Sequence, residues 1–117
     1  MMTERYMINF YSVGGKPFCM KDVAQLWAAA AANEKASSGC FVNAVVDKTV
    51  LICDADYSCG DDSSGVRVVS TRNPVIDENS RNYFDSITRV ILEVKKRLNN
   101  PPVGITIVSV NYYYFQG

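Results

Sequence analysis

Tyr83, Ile87, Val90, Ile91, Val94 and Leu98 recur at steps of four, three, one, three and four, which puts six apolar side chains on one face of one helix. Arg89, Glu93, Lys96 and Arg97 fall mostly off that stripe. Asp77 and Glu78 stand near its start and Lys95, Lys96 and Arg97 in its last turns, the charge order the helix dipole favours. Asn99-Asn100-Pro101-Pro102 ends it, because proline disfavours a helical residue before it. A strand-type run, about Gly104 to Tyr113, follows. A helix with one apolar face must bury it against another layer, and a strand directly behind it points to a sheet.

The first half of the chain repeats the pattern. Arg5 to Val13 is rich in aromatic and branched residues and reads as a strand, broken by Gly14-Gly15-Lys16-Pro17. Met20 to about Ala36 reads as an Ala-rich helix with Val23, Leu26, Trp27, Ala30 and Ala31 on one face, stopped by Ser37-Ser38-Gly39. Cys40–Asp47 and Thr49–Asp54 read as two strands joined tightly through Asp47-Lys48. A polar loop leads to a strand at Gly65–Thr71, and a second connection leads to the striped helix. The order β-α-β-β, then β-α-β, predicts a two-layer α/β sandwich of two βαβ repeats with both helices on one side of a shared sheet. Crossovers through a helix return parallel strands. The helix-free side of the sheet then keeps apolar residues that oligomerisation would cover. At 117 residues, the whole of 1–117 is expected to form a single domain.

Charge and composition narrow the function classes. Twelve Lys and Arg against twelve Asp and Glu leave no electrostatic footprint for nucleic acid or an anionic membrane, and Lys95, Lys96 and Arg97 read as a solvated face. No apolar run approaches the ~18–20 residues of a membrane span. With no signal-peptide pattern, a cytoplasmic location is expected. Histidine is absent, which removes Ser-His-Asp and Cys-His catalysis and the usual base near neutral pH. Cys19, Cys40, Cys53 and Cys59 form no C-x-x-C pair and read as reduced thiols, with Cys40 and Cys53 in the core and Cys59 disfavoured as a nucleophile by nearby carboxylates. Asp54, Asp56 and Ser58 mimic the start of a calcium loop, but Cys59 stands where glycine is required and Gly65 where a bidentate Glu is, so no metal is expected, and no cofactor. In the closing run, alternation sends Tyr112 and Tyr114 to one face and Tyr113 to the other, as a stacking platform or a subunit contact.

The segment "GVRVVST...NSRNYFDSITRVILEVKKRLNNPPVGITIVSVNYYYF" resembles the second half of the tautomerase superfamily, the relatives of macrophage migration inhibitory factor. The first half fits in outline, and lengths between landmarks agree across nearly the whole chain. The resemblance implies a (βαβ)2 subunit in a homotrimer and keto-enol tautomerisation with an N-terminal proline as base. The chain departs from it at each aligned catalytic position. Arg5 falls where that proline would be, behind a flexible tail of Met1 to Glu4. Ser37 falls near the family's pocket lysine, and Thr106 and Val108 near its tyrosine and asparagine. With Lys16 and Thr71, these are the residues the alignment brings toward a pocket. The resemblance therefore implies a tautomerase-like trimer without proline-dependent activity, acting by binding a protein or small-molecule ligand. The alternatives are a tautomerase or isomerase with a non-proline base (Arg5, Lys16 and Ser37 in its pocket) and an unrelated α+β domain.

Overall fold

The computed structural model describes residues 1–12, 17–52 and 64–117. The elements are β1 (Met2–Ser12), α1 (Met20–Ser38), β2 (Val45–Val50), β3 (Ser64–Thr71), α2 (Ser80–Arg97) and β4 (Val103–Asn111). They form the expected two-layer α/β sandwich, one four-stranded sheet against two helices, of the tautomerase-like βαβ type. The sheet order is β2-β3-β1-β4, and every neighbouring pair is antiparallel. Each crossover returns a parallel strand, but not to the adjacent place: β3 lies between β1 and β2, and β1 between β3 and β4. The two βαβ repeats are thus interleaved, the split βαβ connectivity.

Both helices sit on one side of the sheet. Tyr6, Ile8 and Phe10 of β1 and Val66 and Val68 of β3 point to that side, where Val23, Trp27 and Ala31 of α1 and Tyr83, Ile87, Val90 and Val94 of α2 close the core. Full burial of each large apolar side chain is worth about 1.5–3 kcal/mol. Leu26 and Leu98 pack at the margin of this cluster. The small side chains of Ala30 and Ala31 let α2 come close to α1. Trp27 donates its ring N–H to the Val42 carbonyl at 3.2 Å, so its polar edge is satisfied inside the core.

Three strand boundaries differ from the sequence reading. β1 starts at Met2, not Arg5, because the first residues pair with β4 from Met2↔Asn111 onward, and Met1 exchanges backbone hydrogen bonds with Tyr112. The supposed flexible tail is therefore the end of a central strand. Cys40–Ala44 is not in the sheet, and Asp47-Lys48 is no turn. β2 runs straight through both residues, since Asp47 lies opposite Arg67 and accepts a bidentate pair from it at 3.2 and 2.8 Å. β4 ends at Asn111. The calcium-like stretch, with Cys53 and Cys59, lies outside the described residues, as do Val13 and Lys16.

The helix-free face is less apolar than expected. Met7, Val69, Val45 and Val108 share it with Arg5, Asn9, Arg67, Asp47, Thr71 and Thr106. Among the described residues no helix is long and apolar enough to cross a membrane.

Candidate functional site

A cleft lies where the end of α1 meets the start of α2. Gly39 ends α1 in the left-handed conformation (φ 84°) and returns its N–H to the Lys35 carbonyl at 2.9 Å. The chain then runs through Cys40 to Asn43 alongside the connection that follows β3. That connection turns tightly, with Asn73 Oδ1 accepting from Val75 N at 3.0 Å and the Asn73 carbonyl from Asp77 N at 2.9 Å. Asn79 caps α2 by accepting from Asn82 N at 3.0 Å. Between these walls is a cleft of about 670 Å³ lined by Cys40, Asp77, Glu78, Tyr83, Ser86 and Arg89. A second hollow of about 550 Å³ shares Gly39, Ile76 and Asp77 with it and ends at Phe41, Tyr112 and Tyr114. The two adjoin along that shared wall, so the groove has a polar compartment and an aromatic one. Volumes of this order suit a small organic ligand.

The polar end is built on a buried carboxylate. Glu34 of α1 is 6% exposed and accepts Arg89 Nε and Nη2, both at 2.8 Å, and Ser86 Oγ at 3.0 Å. These hydrogen bonds, Arg89's first, hold its carboxyl down to about 2 against the opposing effect of burial. Arg89 is 55% exposed, and its remaining nitrogen Nη1 lies outside this pair. Burial, with the Asp77 and Glu34 carboxylates nearby, pushes the Cys40 thiol up, so it stays protonated and inert as a nucleophile. The floor is Tyr83, whose hydroxyl is 2.6 Å from Ser70 Oγ and accepts from Asn43 Nδ2 at 3.4 Å. Burial raises its pKa strongly. At the aromatic end the Tyr112 and Tyr114 rings stack, 6.4 Å apart and 7° from parallel, so the two share a side as expected, although the chain has left the strand at Asn111.

Arg72 joins the groove to the sheet. It is 6% exposed and pairs bidentately with Glu4 of β1 (Nε to Oε1 3.0 Å, Nη2 to Oε2 2.8 Å). Its Nη1 donates to the carbonyls of Asp77 at 2.7 Å and Glu78 at 3.5 Å.

The residues singled out from the alignment lie elsewhere. Arg5 is opposite Thr71 and Val108, with Thr106 opposite Met7 two residues along, so these four cluster on the helix-free face. Arg5 Nε donates to Thr71 Oγ1 at 3.3 Å. Ser37 is exposed on α1, on the other side of the sheet, and donates to the Glu34 carbonyl at 3.4 Å. Cys40 is half-buried in the cleft wall and not in a strand, and Cys19 is exposed; both are free thiols. Glu34, Arg72 and Asn73 escaped the sequence reading, and Asp77 was read only as an acid near the start of α2. Glu34 alone left a trace there, an acid one step beyond Ala30 and Ala31 on the apolar stripe of α1. Among the described residues no cluster of His, Cys, Asp and Glu is placed to hold a metal ion.

Fold and groove together define a small α/β domain with two adjoining hollows, one lined mainly by polar groups and one bearing aromatic rings. The chain belongs to the SAM lyase family, whose model matches residues 1–116. Comparison with curated proteins finds no match.

Proposed function

We propose that this protein is a lyase acting on S-adenosylmethionine and that the groove between α1, α2 and the 73–79 connection is its substrate site. The family match carries the substrate class, and the groove suits that substrate's three parts. The stacked Tyr112 and Tyr114 with Phe41 offer aromatic faces for a purine. Asp77, on the wall common to both hollows, stands where a sulfonium cation between them gains a carboxylate neighbour. Arg89, on the wall of the polar end with Nη1 outside its pair with Glu34, would take the amino-acid carboxylate.

A lyase breaks the carbon–sulfur bond at a sulfonium either by elimination, which needs a base, or by internal displacement. In the second route the substrate's own carboxylate oxygen bonds to the γ-carbon while the C–S pair leaves on sulfur, giving a five-membered lactone and a neutral thioether. The chain has no histidine, Glu34 is engaged by Arg89, and Cys40 and Tyr83 hold their protons, which leaves the wall carboxylates Asp77, Glu78 and Asp85, weak bases for a carbon-bound proton. These observations favour the second route, in which the protein's part is to fold the substrate back on itself and exclude water. The test is incubation with S-adenosylmethionine followed by mass-resolved chromatography. The reading expects methylthioadenosine and lactone in equal amounts, lost on Arg89→Ala. Tight binding without turnover would return the protein to the binding-protein reading.

The same reading places the subunit in a homotrimer derived from the tautomerase-like fold without a proline base. The Arg5, Thr71, Thr106 and Val108 patch is the face its neighbours cover. Supporting this are the mixed polarity of that face and the open outer edge of β4, where Ile105 and Ile107 are 50% and 46% exposed.

A further inference from the structure

We propose that Arg72 is a positioning residue that fixes Asp77 in the groove and thereby sets a preference for the cationic sulfonium over the neutral thioether of the same size. The inference rests on the substrate reading given above. It starts from an oddity of placement. A guanidinium is the wrong charge to bury beside a site for a cation, yet Arg72 is almost wholly buried directly behind Asp77. Its charge is spent on Glu4, through two parallel hydrogen bonds, so it is neutralised on the sheet side. What it presents toward the groove is Nη1, and that atom binds backbone carbonyls, not the Asp77 carboxylate. Arg72 therefore does not occupy the Asp77 carboxylate, which lines the groove beside the Cys40 thiol.

The anchoring is redundant in direction. The Arg72 backbone N–H donates to the Glu4 carbonyl at 3.1 Å, while the Asp77 N–H donates to the Asn73 carbonyl at 2.9 Å. Residues 72 to 77 are thus held at both ends, and among the described residues the Arg72 guanidinium alone connects the far end to β1. Lysine carries the same charge but cannot span Glu4 and the Asp77 carbonyl with a planar fork. Arg72→Lys therefore keeps the buried charge paired while releasing the connection.

The test is equilibrium binding of two adenosyl ligands at neutral pH: sinefungin, whose ammonium replaces the sulfonium and cannot leave as a thioether, and S-adenosylhomocysteine, the neutral thioether. The wild-type protein should prefer the cation by about tenfold, the size of one close charge contact in a part-solvated site. Arg72→Lys should lose most of that preference by weakening sinefungin alone, and Asp77→Asn should do the same. The double variant should lose no more than either single one. Should Arg72→Lys fail to fold by circular dichroism, Glu4→Gln loosens the same fork and should shift the preference in the same direction. Equal weakening of both ligands would make Arg72 a packing residue and overturn the inference, as would an unchanged preference. A wild type that binds both ligands alike overturns it while leaving the site standing. A wild type that binds neither removes the substrate reading and the inference together.

Discussion

At the scale of single residues, the interior of this protein carries charge that is matched almost atom for atom. Glu34 meets Arg89 and Ser86, and Glu4 meets Arg72. Breaking one partner leaves the other desolvated, which is the expensive way to lose a buried pair. Because the Glu34 carboxyl is held at about 2 instead of its ordinary 4.5, the folded state binds the proton less readily than the unfolded chain. The pair's stabilisation is fully present above about pH 5 and is lost as pH falls toward 2. Glu34→Gln should therefore cost about 2 kcal/mol at pH 7, after allowance for the exposed Arg89 side, and the gap to wild type should close in acid. Denaturant melts at pH 7 and pH 3 read this directly; a gap that persists unchanged at pH 3 would contradict it. The pairing was not legible in the sequence. Position 34 shows as an acid on an apolar stripe, but its partner is on another helix, and only the packing of α1 on α2 brings them together.

Among the elements, helices were read best and strands least well. The α2 stripe named five of the six buried residues, missing Ser86 and including Leu98, which caps the helix at the margin of the core, and Ser37-Ser38-Gly39 named the end of α1 to within a residue or two. Both signals are local: a 3.6-residue period and a left-handed stop. β2 was misread because Asp47-Lys48 looks like a turn, while its place in the ladder is decided by Arg67 on another strand. The groove escaped for a related reason, since its walls come from the aperiodic stretches 38–43 and 73–79. Gly39 is the element-level test. An added Cβ there would meet nothing within 4 Å, so only its positive φ opposes substitution. Gly39→Ala should cost about 1 kcal/mol, and Gly39→Asn less, because Asn tolerates that conformation better. Thermal unfolding of the two variants checks the order; equal melting points would show that the turn relaxes freely.

For the whole molecule, the layer scheme was legible and the strand order was not. Element types and their sequence fix two helices against one sheet, but whether a crossover returns beside its first strand or one place beyond depends on which pairing buries more. Here both crossovers skip a place. The open β4 edge and the mixed helix-free face then bear on assembly. Light scattering after size exclusion should give about 39 kDa, three chains of 13.0 kDa. A 13.0 kDa particle at micromolar concentration would leave the helix-free face to solvent and refute the trimer.

The interleaving also has a consequence for biosynthesis. β1 is made first, yet its two partners are β3 and β4, and the Met2↔Asn111 pairing ties the first strand to the last. Until β4 has been made the central strand has no neighbour on its β4 side. Closing the sheet therefore waits for β4 and is dominated by contacts distant in sequence, the kind that folds slowly. Until then Tyr6, Ile8 and Phe10 stand in a nascent segment that holdase chaperones are built to shield.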